Sequence, residues 1–158
     1  MSNLQELHKL CFANDITISV AESCTSGSIA SSLSKLSGSS KYFKGGVIAY
    51  NNDVKMDILD VPEEIIVSYG EVSAEVVNLM ANNILTKFNS NFSIATTGFA
   101  GPLGGTKDNP VGTVFIAVST IYSTIVRRFF FKGDRRKIIV MAVESALSLL
   151  LVEIKKYK

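Results

Sequence analysis

Hydrophobic positions at the start of the chain change their spacing twice. Between about Asn3 and Phe12 they recur at helical intervals, which predicts a first helix. From Ile16 to Val20 they alternate with hydroxyl side chains, which predicts a strand that leads into Ser23. A second helical pattern begins after Gly27 and closes at Gly38. The residues that carry this second pattern are Ile29, Leu33 and Leu36.

The middle of the chain contains one more strand pattern and a group of helical segments. Phe43 to Tyr50 has the composition of a second strand. Asn51 or Asn52 is suited to cap a short helix, and Pro62 starts a further helical turn. A longer amphipathic helix is predicted from its cap at Ser73 to Phe88.

The last part of the chain predicts three strands and a helix. The third strand covers about Asn91 to Thr97, and a glycine-rich loop follows it from Gly98 to Asn109. Val111 to Thr120 and Thr124 to Phe131 are predicted to form two further strands that pair as a hairpin. Gly133-Asp134 then leads into a C-terminal helix.

The order of these elements, αβαβααβββα, predicts an α/β fold. Specifically, we expect a three-layer α/β/α sandwich with a mixed central sheet. A chain of 158 residues fits one domain, which we expect to span residues 1–158. Because 47% of the residues are hydrophobic and only 19% are charged, a packed core is expected.

The charge balance argues against a dedicated nucleic-acid binder. The formal net charge is only +2, far from the strongly basic footprint of such proteins. Basic residues do cluster locally, at 127–128, 132–137 and 155–158. We expect these clusters to be solvated surface, and nucleic acid is not an expected partner.

The sequence also predicts a cytoplasmic location without a membrane partner. The most apolar stretch, Ile138 to Val152, contains Glu144 and is too short to span a bilayer, so it is predicted to be a buried helix. The first ten residues contain no apolar signal-peptide core. Cys11 and Cys24 are therefore expected to be reduced thiols.

Several common catalytic arrangements are missing from the sequence. His8 is the only histidine, so a Ser-His-Asp triad would depend on that one residue. One histidine and two separated cysteines do not supply the usual zinc ligands, and neither of the two common glycine-rich phosphate motifs occurs. No metal and no cofactor are expected, and any catalysis must rely on other side chains.

Three segments rich in small polar residues lie at predicted strand ends, at 21–27, 49–55 and 97–106. Ligands of open α/β sheets gather at the carboxyl ends of strands, so these segments are predicted to line one pocket. Without a histidine base, a serine nucleophile needs a lysine whose pKa is lowered. Ser23 as nucleophile, Lys55 as base and Tyr50 as a proton relay or hydrogen-bonding group form such a set.

Each of these residues also has a structural explanation. Ser23 alone is more often a helix cap, Lys55 alone is most often a solvated surface lysine, and Tyr50 is commonly a core residue. Cys24 is an alternative nucleophile, although nothing in its surroundings marks an activated thiolate. The residues alone leave these alternatives open.

Taken together, the motifs resemble the CinA C-terminal family from about Asn3 to Leu151. The segments that carry the resemblance, in order, are Ala-Glu-Ser-Cys-Thr at 21–25, Gly-Ser-Ser at 38–40, Tyr-Asn-Asn at 50–52 with Lys55, Gly-Glu-Val-Ser at 70–73, Gly-Phe-Ala-Gly-Pro at 98–102 with Gly-Gly at 104–105, and Pro-Val-Gly-Thr-Val at 110–114. The resemblance implies an α/β/α domain that converts nicotinamide mononucleotide and water into nicotinic acid mononucleotide and ammonia. This reaction belongs to pyridine-nucleotide salvage.

The resemblance also implies roles for individual residues. The family's catalytic serine, tyrosine and lysine fall on Ser23, Tyr50 and Lys55, and Arg135 is a candidate phosphate contact. The other residues implied to bind substrate are Thr25, Gly27, Gly98, Ala100, Gly101, Gly105 and Thr106. Some family members carry an additional N-terminal domain, whereas this chain is expected to start directly with the deamidase-like unit. The expected partner is a small nucleotide substrate, with a homo-oligomer as an open option.

Three departures from the family pattern bear on substrate preference. Ser26 stands where the family usually has glycine, Leu103 where a polar residue or glycine is common, and Ile139 where many relatives have arginine. Two rival hypotheses therefore stand beside deamidation of the mononucleotide. One is amide hydrolysis of a different substrate. The other is a non-catalytic nucleotide-binding or adaptor module linked to competence or DNA repair.

Overall fold

A five-stranded mixed sheet forms the middle layer of the protein in a computed structural model that describes residues 1–157. The strands are β1 (Ile18–Glu22), β2 (Phe43–Ile48), β3 (Phe92–Gly98), β4 (Thr113–Ser119) and β5 (Thr124–Phe130), in the spatial order β2-β1-β3-β4-β5. β1 pairs in parallel with β2 and β3, whereas β3–β4 and β4–β5 are antiparallel. The mixed sheet and the hairpin predicted from the sequence are both confirmed.

Six α-helices and one 3₁₀ turn accompany the sheet within residues 1–157. The helices are α1 (Asn3–Ala13), α2 (Ser28–Leu33), α3 (Asn52–Asp57), α4 (Glu63–Tyr69), α5 (Ala74–Phe88) and α6 (Arg135–Lys156), and the 3₁₀ turn is Ser39–Lys41. One hydrophobic core joins α1, α2 and α6 to one face of the sheet, and a second core joins α4 and α5 to the other face. The α/β/α sandwich is therefore confirmed.

Local capping explains where the helices begin. Ser2 and Gln5 form a reciprocal capping box at α1. The side chains of Asn51, Ser73 and Asp134 accept hydrogen bonds from backbone N–H groups at the starts of α3, α5 and α6. These caps satisfy N–H groups that have no partner inside the helix.

The structure corrects two predicted boundaries. The second helix ends at Leu33 and does not include Leu36. In this serine-rich run, the Ser34 hydroxyl donates hydrogen bonds to the carbonyls of Ala30 and Ser31, which competes with continuation of the helix. The second strand ends at Ile48 and not at Tyr50. The Ala49 N–H still donates to the Glu22 carbonyl at 2.7 Å, and the chain then leaves the sheet. Tyr50 thereby lies in a loop.

The basic clusters are exposed, as expected for solvated surface, at every position the structure describes. Lys158, which closes the third cluster, lies outside the described residues. Within residues 1–157, no helix combines the length and the hydrophobicity needed to cross a membrane.

The strand register brings the chemistry-bearing segments together. Glu22 at the end of β1 lies opposite Ile48 on β2 and Thr96 on β3. The carboxyl ends of these three parallel strands therefore meet at one edge of the sheet. The loops that follow them start from the same place.

Candidate active site

A cavity of about 340 Å³ opens at this edge of the sheet. Its walls come from the loops after β1, β2 and β3, from the segment before α5 and from the first residue of α6. The residues that line it are Ser23, Cys24, Tyr50, Asn51, Asn52, Lys55, Glu71, Val72, Thr97, Gly98, Phe99, Ala100, Gly101, Leu103 and Arg135. The three segments expected to share a pocket therefore do so.

Seven of the eleven residues predicted for the site line this cavity. They are Ser23, Tyr50, Lys55, Gly98, Ala100, Gly101 and Arg135. Thr25, Gly27, Gly105 and Thr106 do not line it. These four residues shape the loops that carry the others.

Thr25 and Gly27 bind a buried carboxylate instead of facing the cavity. Glu22 is fully buried, and its Oε2 accepts hydrogen bonds from the Thr25 hydroxyl at 2.5 Å and the Gly27 N–H at 3.1 Å. The N–H groups of Ile29 and Ala30, in the first turn of α2, donate to the same carboxylate at 3.1 and 2.8 Å. A negative charge at a helix N-terminus is stabilised by these donors and by the helix dipole. Glu22 thus fixes the turn that contains Ser23.

Ser23 occupies the first position of that turn and is 7% exposed. Its N–H donates to the Thr96 carbonyl at 3.1 Å, and its carbonyl accepts from the Ser26 N–H at 3.0 Å. Within residues 1–157 its hydroxyl makes no hydrogen bond, and the N–H of the following residue, Cys24, makes none either. The cavity wall therefore includes a serine hydroxyl and a neighbouring residue's backbone N–H that form no hydrogen bond with another residue in the described part of the chain.

Lys55 reaches the same cavity from α3 and is only 1% exposed. Its amine forms no hydrogen bond or ion pair with the residues that the structure describes. Burial lowers the pKa of this amine below its usual 10.5, and the charge of Glu71 partly opposes the change. The lowered pKa increases the fraction of neutral amine, which is the form that can accept a proton.

Tyr50 lies at the mouth of the cavity and is 55% exposed. Arg135 Nη2 donates to its hydroxyl at 2.7 Å, and Arg135 Nη1 donates to the Gly101 carbonyl at 2.8 Å. Arg135 therefore joins the loop after β2 to the loop after β3. The structure contains no hydrogen bond from Tyr50 to Ser23 or Lys55, so a proton relay through the tyrosine is not preformed.

The glycine-rich loop holds its shape through close backbone contacts. A side chain at Gly98 would meet the Thr113 carbonyl at 2.7 Å, so only glycine fits there. Further along, Thr106 exchanges two hydrogen bonds with Asn109: its N–H donates at 2.8 Å, and its hydroxyl accepts at 2.9 Å. Gly105 has a φ of +85° beside the Val111 N–H. Gly105 and Thr106 consequently form the base of the loop.

Two alternatives, Cys24 as nucleophile and His8 as base, find no support in the structure. Cys24 lines the cavity, but burial raises the pKa of its thiol to about 12, so it is protonated at neutral pH. His8 is on α1, where its ring contacts Phe12 and Tyr42, and it does not line the cavity. Within residues 1–157, no group of three His, Cys, Asp or Glu side chains is placed to hold a metal ion.

The three departures from the family pattern differ in their relation to the cavity. Ser26 is exposed with a φ of +44°, a conformation that costs a non-glycine residue on the order of 1 kcal/mol, and it does not line the cavity. Ile139, on α6, is half-buried and packs against the hydrophobic core that α1, α2 and α6 share. Only Leu103 faces the cavity, at its rim and 88% exposed.

Several lining residues were not predicted as site residues. The most informative is Glu71, which belongs to the Gly-Glu-Val-Ser segment at 70–73. The sequence signal for this residue is its position two residues before the helix cap Ser73, which indicates that the loop is held in place. What the sequence does not show is that Thr97 binds the Glu71 carbonyl at 2.7 Å and draws the loop to the end of β3.

The fold and this cavity together define a mixed α/β domain with a polar cavity at its strand ends. Residues 2–154 match the model of the CinA C-terminal domain, and the chain belongs to that family. The resemblance inferred from the motifs is thereby confirmed.

Individual relatives agree with the family assignment. A CinA-like protein of Desulfotalea psychrophila is 47% identical over 135 residues, which are 85% of this chain and 33% of that protein. A putative competence-damage inducible protein of Desulforudis audaxviator is 42% identical over 138 residues, 87% of this chain and 33% of that protein. The chain spans about a third of the length of these curated relatives.

Solved structures show the same fold. The competence damage-inducible protein A of Klebsiella pneumoniae is 29% identical, with a TM-score of 0.95 over 99% of this chain and 97% of that one. A competence/damage inducible protein of Agrobacterium tumefaciens is 32% identical, with a TM-score of 0.89 over 98% of this chain and 97% of that one.

Replacing Glu22 with glutamine is expected to destabilise the protein by about 2–4 kcal/mol. The amide presents an NH₂ group where four donors need an acceptor, which leaves buried N–H groups unpaired. Urea unfolding at neutral pH measures the change. Glu64→Gln, at an exposed site on α4, is the matched control and should stay within about 0.5 kcal/mol of the parent. Equal stability of the two variants would contradict this role of Glu22.

Replacing Lys55 with methionine is expected to stabilise the protein by about 1–3 kcal/mol at pH 7, because a buried polar group without a partner is removed. The pKa of Lys55 is lowered in the folded state, so the unfolded chain binds its proton more tightly. The free-energy cost of burying Lys55 therefore decreases as pH rises from the folded pKa toward 10.5.

The stability difference between Lys55→Met and the parent should accordingly shrink as pH approaches 10.5. Unfolding curves measured across this pH range test the trend. Lys35→Met, at an exposed lysine, should show neither effect. If Lys55→Met has a lower free energy of unfolding than the parent, Lys55 stabilises the fold, and the expectation that its burial is unfavourable is wrong.

Proposed function

We propose that the protein hydrolyses the carboxamide of nicotinamide mononucleotide, giving nicotinic acid mononucleotide and ammonia in cytoplasmic pyridine-nucleotide salvage. The observation that carries the proposal is a buried amine, that of Lys55, in the same cavity as the hydroxyl of Ser23, neither of which has a hydrogen-bond partner among residues 1–157. A structural lysine is exposed or paired, since burial of an unpaired amine is unfavourable. Such an arrangement is typical of a nucleophile and its base.

In the first half of the reaction, Ser23 Oγ attacks the carboxamide carbon while Lys55 accepts the hydroxyl proton. The carbonyl oxygen becomes an oxyanion, and the free N–H of Cys24, next to the nucleophile, is suited to bind it. The intermediate collapses when the C–N bond breaks, and Lys55 returns the proton so that ammonia leaves. An ester of Ser23 remains.

In the second half, water replaces ammonia. Neutral Lys55 takes a proton from the water as its oxygen attacks the ester carbon, and the proton then passes to Ser23 Oγ as the ester bond breaks. The products are the carboxylic acid nucleotide and free enzyme. No step in this scheme depends on a thiolate, in keeping with the high pKa of Cys24.

The mouth of the cavity offers polar groups that could bind the nucleotide part of the substrate. Arg135 uses two of its donors on Tyr50 and Gly101, and a guanidinium has five in total. The remaining donors are available for a phosphate group, which arginine binds well. Tyr50 then contributes by fixing Arg135 and by presenting its exposed ring beside the ligand.

A non-catalytic adaptor is the second candidate, favoured by the names of relatives that refer to competence and damage induction. Such a module would bind a nucleotide without releasing ammonia. It gives no reason for a buried amine beside a free serine hydroxyl. Amide hydrolysis of another substrate remains a further alternative because of Leu103 at the rim.

The decisive experiment measures ammonia release from nicotinamide mononucleotide with a metal chelator present. The parent protein is expected to release ammonia, and Ser23→Ala should abolish release without loss of folding, since the nucleophile is removed. Cys24→Ala should retain turnover, because its thiol stays protonated. Turnover by Ser23→Ala at the parent's rate would eliminate Ser23 as nucleophile, and a folded parent without any release would favour the adaptor.

A further inference from the structure

Glu71 is the only acidic side chain among the residues that line the cavity in the described part of the chain. Its backbone is held from both sides. The Thr97 hydroxyl donates to the Glu71 carbonyl at 2.7 Å, and the Ser73 hydroxyl donates to the Gly70 carbonyl at 2.9 Å. The cap at Ser73 then anchors the segment to α5. The position of Glu71 is therefore fixed by the fold.

The carboxylate of Glu71, unlike its backbone, makes no hydrogen bond or ion pair within residues 1–157. It is exposed, whereas the amine of Lys55 is buried. The two charges influence each other across the cavity without forming an ion pair. A carboxylate that no protein group uses is available to a ligand.

The proposed substrate brings a particular charge into this space. The ring nitrogen of nicotinamide mononucleotide is quaternary, so its pyridinium ring is a cation, while the reduced dihydropyridine form is neutral. A ring placed with its carboxamide at Ser23 lies in a cavity that already contains the cationic guanidinium of Arg135, besides the Lys55 amine that is neutral when it acts as base. Like charges repel strongly where water is excluded, and an opposite charge nearby relieves the repulsion.

We propose that Glu71 is the specificity-determining residue that selects the oxidised, cationic pyridinium form of the nucleotide over its neutral reduced form. The inference rests on the proposed function and adds the redox state of the substrate to it. The carboxylate lies against the cationic ring, whereas Arg135 at the mouth takes the phosphate. The cavity then pairs each charge of the ligand with an opposite charge of the protein.

Binding measurements on two forms of one nucleotide test this assignment. Calorimetry compares Ser23→Ala with Ser23→Ala/Glu71→Gln, so that no turnover occurs, using oxidised and reduced nicotinamide mononucleotide as ligands. The glutamine substitution is expected to raise the Kd of the oxidised form by about tenfold or more, as loss of a partly desolvated charge pair does. The Kd of the reduced form should stay within about twofold.

A matched control removes a carboxylate outside the cavity. Glu75, in the first turn of α5, is also exposed and does not line the cavity. Ser23→Ala/Glu75→Gln should bind both forms like Ser23→Ala. Unfolding curves for all variants verify that the exposed substitutions leave the fold intact.

The remaining outcomes separate this inference from the proposed function. If Glu71→Gln weakens both forms equally, or weakens neither while the parent still releases ammonia from the oxidised nucleotide, Glu71 does not select ring charge and only the inference fails. If the parent neither releases ammonia nor binds either form, the proposed function fails and the inference fails with it.

Discussion

The buried carboxylate of Glu22 is the interaction on which the site depends. It ends β1 and accepts hydrogen bonds from the Thr25 hydroxyl and from three backbone N–H groups at the start of α2. A fully buried carboxylate is tolerated only because these donors replace water. In the same turn, the Ser23 hydroxyl and the Cys24 N–H form no hydrogen bond with another residue among residues 1–157. By holding this turn in place, Glu22 positions Ser23 at the cavity, where its hydroxyl can react.

The cavity contains two basic side chains, Lys55 and Arg135, which differ in burial and therefore in the chemistry they can perform. Burial disfavours the charged form of Lys55, so its amine is suited to exchange protons with a serine. Arg135 is exposed, and its guanidinium keeps its charge, so it can bind a phosphate but not act as a base. The carboxylate of Glu71 lies in the same cavity and completes a polar arrangement that suits a ligand with charges of both signs.

Much of the fold follows from sequence periodicity, but the inner part of the site does not. The alternation before Ser23 and the caps at Asn51 and Ser73 predict the elements, because these signals are local. Thr25 and Gly27 belong to the same motif as Ser23, yet only the folded turn shows that they bind Glu22 and not the cavity. The burial of Lys55 and the position of Glu71 depend on packing between segments distant in sequence, which no local pattern encodes.

The most direct test of the account is an NMR titration of lysines labelled at Cε, with Lys55 assigned by its absence from the Lys55→Met spectrum. Burial is expected to lower the pKa of Lys55, so that its Cε signal titrates below the usual 10.5. A lowered pKa increases the fraction of neutral amine beside Ser23, which is the form that accepts a proton. Titration of Lys55 at its usual 10.5 would contradict its role as the base and remove the observation on which the proposed function rests.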